Sequence, residues 1–163
     1  TNIMRALRRI VEDFPQVELV YPVHLSPVVQ EAARAHLSGH DRIHLIEPLT
    51  PDEMHNVMAR SAFVMTDSGG LQEEAPALGK PVLVMRRETE RPEAIAAGTA
   101  RLAGVERAEI TRLANELLDS PEAYARMAKA VNPYGDGCAC PRIAQAIEWH
   151  FGLTGERPAD FQA

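Results

Sequence analysis

The sequence predicts an α/β fold in which helices cover both faces of a parallel β-sheet. The first hundred residues alternate between short apolar runs, typical of buried strands, and longer stretches with helical spacing. Strands separated by helices pair in parallel, because a parallel connection needs a long crossover. Several helical stretches also begin with serine or threonine followed by proline, a typical helix start. These three observations favour a doubly wound sheet.

The first part of the chain contains three helix signals that alternate with three strand signals. Apolar residues recur at helical spacing from Ile3 onwards, which predicts an amphipathic helix. Ser26 and Pro27 supply an N-cap and a first-turn proline, and Thr50 and Glu53 have the spacing of a capping box. In chain order, we predict a helix at about 3–13, a strand at 17–21, a helix at 27–37, a strand at 43–46, a helix from 51 and a strand at 62–66.

The second part continues the alternation and then becomes helical. Pro76 lies inside a predicted helix and removes one backbone hydrogen bond, so we expect a kink or an early end there. Arg91 and Pro92 open a short helix that Gly98 closes. We predict a helix from 69, strands at 81–85 and 99–103, helices near 110–118, from 121 and at 139–151, one domain over 1–151 and an irregular tail over 152–163.

Composition and charge exclude several classes of protein. A chain of 163 residues with 45% hydrophobic and 25% charged residues fits one globular domain. The net charge of −6 argues against nucleic-acid binding through a broad basic surface. No apolar run approaches the ~18 residues of a membrane span, and no segment has the pattern of a signal peptide. Cys138 and Cys140 lack disulfide and zinc-site spacing, so we expect reduced thiols, no metal and a cytoplasmic location.

The segment TDSGGLQEE (66–74) is the most informative motif, since it joins a predicted strand to a predicted helix. Unpaired N–H groups and about half a positive charge at a helix N-terminus favour phosphate binding. The Ser68 hydroxyl either binds a phosphate oxygen or caps the helix. Gly69 and Gly70 allow a ligand to approach the backbone closely, although short glycine turns are also common without a ligand.

Two adjacent glutamates follow this turn. Glu73 and Glu74 lie about 100° apart around the helix, so both cannot face the same ligand. A carboxylate can accept hydrogen bonds from both hydroxyls of a ribose at once. Sequence spacing does not decide which of the two would do so, and a glutamate on a helix is often simply solvated.

Three further segments have two readings each. The loop over 85–93 carries three arginines that would suit a diphosphate and three glutamates that would neutralise them. His24 follows a predicted strand and is either a ligand contact or an ordinary loop residue. The turn-rich segment NPYGDG (132–137) is either a ligand loop or a structural corner before the last helix.

Five segments of the chain occur in the order of one known family. Together they resemble the C-terminal half of bacterial non-hydrolysing UDP-N-acetylglucosamine 2-epimerases, from Ile3 to about Phe151. Five motifs in register are far more specific than any one of them. They are YPVH (21–24), TDSGGLQEEAP (66–76), LGKPVLVMR (78–86), TERPEA (89–94) and NPYGDG (132–137).

The resemblance implies a Rossmann-like domain, the C-terminal half of a glycosyltransferase-B-type fold, that holds UDP in the cleft between two domains. Met54 stands where the family often has an aromatic residue against the uracil, so stacking would be lost there. The implied roles are Ser68, Gly69 and Gly70 at the diphosphate, Glu74 at the ribose, Arg91 and Glu90 in the same cleft, Met54 at the uracil and His24 at a regulatory nucleotide-sugar site.

The resemblance also implies an activity. Members of the family interconvert UDP-N-acetylglucosamine and UDP-N-acetylmannosamine by elimination and re-addition of UDP, without a cofactor. Their acid and base residues lie in the N-terminal half, so no catalytic residue is expected in this chain. We therefore expect the chain alone to bind UDP weakly and not to epimerise. The partners implied are UDP or UDP-N-acetylglucosamine, the N-terminal domain and a second subunit in a homodimer.

Two expectations concern what surrounds this chain. The first strand of such a domain should precede Ile3 and lie mid-sheet, between the strands predicted at 17–21 and 62–66. The chain is therefore expected to be a fragment or part of a longer polypeptide. Two alternatives to the epimerase remain open, namely the donor-nucleotide domain of a glycosyltransferase-B enzyme and a non-catalytic nucleotide-sugar-binding fragment.

Overall fold

Helices and short strands alternate along most of the chain. A computed structural model describes residues 2–160. The order of elements matches the predicted order throughout. The elements are α1 (Asn2–Asp13), β1 (Leu19–Pro22), α2 (Pro27–Leu37), β2 (Ile43–Ile46), α3 (Pro51–Arg60), β3 (Val64–Thr66), α4 (Gly69–Ala77), β4 (Val82–Val84), α5 (Pro92–Ala97), β5 (Ala100–Leu102), α6 (Arg107–Asp119), α7 (Pro121–Ala128) and α8 (Ala139–His150).

All strand pairs are parallel, as predicted. One sheet has the order β1-β2 and the other has the order β3-β4-β5. Among residues 2–160, no strand pairs with the outer edge of β1 or of β3. The two sheets nevertheless share one apolar cluster, since Leu19 of β1 and Met65 of β3 both pack against the cluster that contains Leu7 and Val11 of α1. A mid-sheet strand between β1 and β3 stays a prediction.

Strand β4 shows that helices cover both faces of the larger sheet. Its three residues are completely buried. Leu83 packs with α1, α6 and α7 on one face. Val82 and Val84 pack with α3, α4 and α5 on the opposite face. Because successive side chains of a strand point to opposite faces, this arrangement confirms the doubly wound class.

The predicted helix starts are confirmed, with one difference in detail. The capping box of α3 is complete, since Thr50 N donates to Glu53 Oε2 at 2.9 Å and Glu53 N donates to Thr50 Oγ1 at 3.4 Å. Ser26 precedes α2, but its side chain makes no capping hydrogen bond. Pro76 lies one residue before the end of α4, so the expected early end is confirmed.

Two strands begin two residues later than predicted, and side chains explain both differences. The strand predicted from residue 17 begins at Leu19, because Arg42 Nη1 donates to the Val17 carbonyl at 2.7 Å. The strand predicted from residue 62 begins at Val64, because the Tyr124 hydroxyl donates to the Ala62 carbonyl at 3.0 Å. In each case the residue's carbonyl binds a side chain rather than a neighbouring strand.

The C-terminal part agrees with prediction within the described residues. Helix α8 ends at His150, and residues 152–160 contain neither helix nor strand. The last residues of the predicted tail, 161–163, lie outside the described residues. Cys138 and Cys140 are both free thiols. No helix within residues 2–160 has the length and apolar character needed to cross a membrane.

Candidate functional site

The turn between β3 and α4 leaves polar groups of the backbone and of Ser68 available. Ser68 is the N-cap residue of α4, but its side chain makes no capping hydrogen bond. Its own N–H instead donates to Thr66 Oγ1 at 3.0 Å, which fixes the turn. The first N–H groups of a helix have no partner within the helix. The start of α4 therefore offers N–H donors and a hydroxyl to a ligand.

Four of the side chains predicted for the site surround the two glycines of this turn. A Cβ atom placed on Gly69 would lie 2.6 Å from Glu90 Oε1 and 3.8 Å from Arg91 Nη2. A Cβ atom placed on Gly70 would lie 3.6 Å from Glu74 Oε1 and 3.9 Å from Ser68 Oγ. The fold thus brings Ser68, Gly69, Gly70, Glu74, Glu90 and Arg91 together.

The two adjacent glutamates contact different elements. Glu73 accepts a very short hydrogen bond from Arg91 Nε, which precedes α5. Glu74 Oε2 lies 2.9 Å from His55 Nε2, on α3. The expectation that both cannot face one ligand is consistent with these opposite partners. Glu74 Oε1 lies near Gly70, whereas the Glu73 carboxylate binds Arg91 in the loop before α5.

The arginines of the loop over 85–93 are all paired with carboxylates. Arg86 Nη1 lies 2.5 Å from Glu90 Oε2, and Arg87 Nη2 lies 3.6 Å from Glu106 Oε1. The hydrogen bond that Arg91 donates to Glu73 raises the pKa of Arg91. Of the loop's own three glutamates, only Glu90 supplies one of these ion pairs, since Glu73 and Glu106 lie outside the loop. Arg91 remains suited to a second anion, since its Nη2 group lies near Gly69.

A buried glutamine links the glycine turn to this loop. Gln72 is fully buried, its Nε2 donates to the Ser68 carbonyl at 3.2 Å, and its Oε1 accepts from Thr89 Oγ1 at 2.5 Å. Thr89 Oγ1 in turn accepts from Arg91 N at 3.0 Å. Gln72 therefore fixes the position of Ser68 relative to Arg91. The two hydrogen bonds also satisfy the amide of the fully buried Gln72, which would be costly to bury unpaired.

The predicted uracil residue packs against a core cluster that includes Ala75 of α4. Met54 is half-buried and packs against the cluster formed by α3, α4, β4, α5 and β5. Tyr134 of the NPYGDG segment packs against the same cluster. Burial raises the pKa of the Tyr134 phenol, and the charges of Glu93 and Glu73 add to this effect. The NPYGDG segment thus packs through Tyr134 against the same cluster as Met54, and a contact with a ligand stays a prediction.

His24 stands apart from the glycine turn in the structure. It is exposed after the end of β1, and its Nδ1 accepts from Ser26 N at 3.1 Å. Within the described residues, no hydrogen bond or ion pair joins His24 to the turn. Burial raises the pKa of Tyr21, and the charge of Asp67 adds to this effect. The ends of β1 and β3 are therefore near each other. A regulatory role for His24 stays a prediction.

Sequence reasoning missed Gln72 and His55. Gln72 lies four residues after Ser68, so a shared helical face was the signal that could have identified it. His55 had no local signal, because its partner Glu74 is on another helix. No group of three or more metal-ligating side chains is present within residues 2–160.

A parallel sheet with helices on both faces, and a glycine turn at a strand's carboxyl end, define a Rossmann-like domain. The profile of the family described as UDP-N-acetylglucosamine 2-epimerase matches residues 1–148. A Bacillus subtilis protein named UDP-N-acetylglucosamine 2-epimerase is 54% identical over 160 residues. That match covers 98% of this chain and 42% of the relative's length. The chain belongs to this epimerase family.

Solved structures confirm the fold. The structure of S. aureus MnaA with UDP has a TM-score of 0.93 and 46% identity, over 99% of this chain and 44% of that one. UDP-GlcNAc 2-epimerase from Neisseria meningitidis, bound to UDP-GlcNAc, has a TM-score of 0.83 and 42% identity, over 90% of this chain and 40% of that one. The chain thus spans less than half of the length of these relatives.

Proposed function

We propose that this chain is the UDP-binding part of a UDP-N-acetylglucosamine 2-epimerase. The observation that supports this most directly is the convergence of Ser68 Oγ, Glu74 Oε1 and Arg91 Nη2 around the glycines that begin α4. In this proposal the diphosphate lies against the first N–H groups of α4. The helix dipole adds about half a positive charge there, which favours an anion in a chain whose net charge is −6.

Each site residue has a distinct role in the proposal. The Ser68 hydroxyl, which makes no capping hydrogen bond, donates to a phosphate oxygen. The Arg91 guanidinium binds both Glu73 and the diphosphate. Glu74 accepts from the ribose hydroxyls through the oxygen that faces Gly70. Glu90 lines the same cleft, and the flexible Met54 side chain packs against the uracil without the stacking of an aromatic ring.

This part of the enzyme would stabilise the leaving group. In elimination of UDP from the sugar, negative charge grows on the diphosphate as the C1–oxygen bond breaks. Donors fixed at the start of α4 would stabilise that charge more strongly in the transition state than in the substrate. The groups that move the C2 proton would come from the remainder of the full-length enzyme, so this chain would contain no catalytic residue.

The remaining aspects of the proposal concern the whole protein. Residues 1–151 would form the nucleotide-binding domain and 152–163 a tail. A domain formed by the rest of the full-length sequence would close the cleft. The family resemblance suggests a homodimer, and two free thiols suit the reducing cytoplasm.

Calorimetric titration of the 163-residue chain with UDP tests the proposal. Ser68→Ala and Glu74→Ala should each weaken binding roughly tenfold, the usual effect of losing a hydrogen bond to a charged group. Ser26→Ala is the control for Ser68, because Ser26 also begins a helix without a side-chain cap. Glu18→Ala is the control for Glu74, because Glu18 also pairs with a histidine, at 2.8 Å. Both controls should bind UDP normally.

Two outcomes would contradict the proposal. A chain that gives no saturable signal with UDP would be an inert fragment rather than a nucleotide-binding unit. A chain that by itself converts UDP-N-acetylglucosamine would show that the assignment of the proton-transfer groups to another domain is wrong. The glycosyltransferase alternative is decided by product analysis of the full-length protein, where the family match favours UDP-N-acetylmannosamine over a transferred sugar.

A further inference from the structure

Glu74 is held on one side and open on the other. Its Oε2 atom lies 2.9 Å from His55 Nε2, which joins α3 to α4. Its Oε1 atom lies 3.6 Å from the position that a Cβ on Gly70 would take. A carboxylate accepts but does not donate, so the ring nitrogen that faces it must carry the proton. His55 therefore restrains the carboxylate while leaving one oxygen directed at the glycine turn.

We propose that His55 is a positioning residue that makes this site select ribonucleotides over 2′-deoxyribonucleotides. The inference rests on the proposed function, in which Glu74 accepts from the ribose hydroxyls. A glutamate side chain that is free to rotate must lose rotamer freedom before it can bind two hydroxyls. The hydrogen bond from His55 removes part of that cost before the nucleotide arrives.

The neighbouring glutamate shows that the pairing is selective. Glu73 pairs with Arg91, on the loop before α5, and so keeps a cation close to the turn. Glu74 pairs instead with a residue of α3, the helix that also carries Met54. The ribose residue and the uracil residue of the proposed site are therefore connected through one helix, α3.

A simple surface ion pair is the competing explanation. His55 and Glu74 are each about half exposed, with side-chain exposures of 49% and 47%. A pair of that kind contributes little to stability and would not distinguish one nucleotide from another. The two explanations therefore differ in nucleotide selectivity, which a purely structural role would not change.

The test compares UDP with 2′-deoxyuridine 5′-diphosphate by calorimetry on the 163-residue chain. The unaltered chain should prefer UDP about tenfold, because the deoxynucleotide lacks one hydroxyl donor to a charged acceptor. His55→Ala should lower the affinity for UDP about five- to tenfold and the affinity for the deoxynucleotide less than about twofold. The preference for UDP over the deoxynucleotide should therefore be largely lost. His55→Gln places an amide N–H near the Nε2 position and should restore most of the preference.

His44→Ala is the matched control. His44 also forms an exposed pair with a glutamate, Glu18, at 2.8 Å, but on the β1-β2 sheet. His44→Ala should leave the affinities for UDP and for the deoxynucleotide unchanged. If His55→Ala does not fold, His55→Phe keeps a ring and removes the hydrogen-bond donor. The ratio of its affinities for UDP and for the deoxynucleotide then tests the positioning role.

The outcomes separate this inference from the proposed function. If His55→Ala, or His55→Phe in its place, weakens the binding of both nucleotides equally, or of neither, the positioning role is wrong while UDP binding stands. If the unaltered chain binds neither nucleotide, the proposed function fails and the inference fails with it. If Glu74→Ala still prefers UDP to the deoxynucleotide, the ribose contact lies elsewhere and His55 has no such role.

Discussion

At the scale of residues, Gly70 is informative because the free protein does not require a glycine there. Its backbone does not have the positive φ that favours glycine, in contrast to Gly98 with φ 81°. A Cβ at Gly70 would meet its nearest atom, Glu74 Oε1, at an ordinary 3.6 Å. Glycine within a helix is also less stable than alanine by roughly 0.5–1 kcal/mol. A ligand that approaches the backbone would explain why this cost is tolerated.

We therefore predict opposite effects of Gly70→Ala on stability and on binding. The free energy of unfolding, from urea denaturation, should stay the same or rise by up to about 1 kcal/mol. UDP affinity should fall at least about tenfold, because the new methyl group would occupy the space of the diphosphate. Gly98→Ala is the control and should lower stability without changing affinity, since its φ is positive. A Gly70→Ala chain with normal UDP affinity would place the ligand away from this turn.

The Gln72–Thr89 hydrogen bond leads to a prediction about stability. Gln72→Leu removes both hydrogen bonds but should cost only about 0.5–1.5 kcal/mol, because Ser68 is exposed and Thr89 is half-buried. Thr89→Val should cost more, about 1–3 kcal/mol, because it leaves the Oε1 atom of the fully buried Gln72 without its hydrogen-bond donor. In a double-mutant cycle the two changes should be coupled by at least about 0.5 kcal/mol. Additive values in urea denaturation would show that the bond does not hold the turn and the loop together.

The residues of the site differ in how far sequence could predict them. Ser68, Gly69 and Gly70 form one contiguous turn, so local pattern placed them together correctly. Glu90 and Arg91 are more than 15 residues away in sequence; the local pattern suggested that arginines of their loop could meet a diphosphate, and the family resemblance assigned these two residues to the same cleft. His55 and Gln72 required the structure, because the partners that give them a role are chosen by helix packing rather than by spacing.

At the scale of elements, helix starts were predicted better than strand starts. A cap such as that of α3 is a local interaction between residues three apart, so the sequence contains it completely. A strand end depends on which distant group pairs with its backbone. The side chains of Arg42 and Tyr124 bind the carbonyls of Val17 and Ala62, and no local pattern could show this.

Helix α6 provides a prediction about pH. Glu116 accepts from Arg101 Nη1 of β5 at 2.8 Å and from Arg112 Nη1 at 3.3 Å. These hydrogen bonds, Arg101 first, lower the pKa of Glu116 in the folded protein. A carboxyl whose pKa is lowered by folding stabilises the fold above its unfolded pKa of about 4.3, and this contribution is lost as pH falls through the folded value.

The variant Glu116→Gln should therefore be less stable than the unaltered chain at neutral pH, and the difference should shrink below about pH 4. Urea denaturation of both chains at several pH values measures the two free energies of unfolding. Glutamine does not ionise, so its curve lacks the contribution of this one carboxyl. A difference that stays constant down to pH 3 would mean that the arginines do not favour the charged form of Glu116.

At the scale of the whole molecule, the fold depends on α1. Ala6 and Ile10 pack in the cluster that contains Leu83 and α6, whereas Leu7 and Val11 pack with α2 and β2. One helix thus covers parts of both sheets. The sequence predicted parallel pairing and two covered faces, but it predicted one sheet, whereas the described residues form two. The difference arises between β1 and β3, where the predicted mid-sheet strand would lie.

Those two facing edges yield a prediction about hydrogen exchange. Leu19 N donates to Arg42 O and Val64 N donates to Pro81 O, both at 2.9 Å. Alternate residues of a strand direct their N–H groups to opposite edges. The N–H groups of Val20 and Met65 therefore point to the unpaired edges of β1 and β3. In the 163-residue chain, NMR should show the Val20 and Met65 amides exchanging much faster than those of Leu19 and Val64.

An N-terminal extension that supplies an apolar parallel strand should protect Val20 and Met65 and raise the free energy of unfolding, because unpaired edges readily accept another strand. An extension of equal length but polar composition is the control and should change neither quantity. If Val20 and Met65 are already protected in the 163-residue chain, a second chain pairs with these edges, and their protection should then fall as the protein is diluted. Protection that neither the extension nor dilution changes would mean that β1 and β3 are not open edges, and the predicted mid-sheet strand would have no place in this fold.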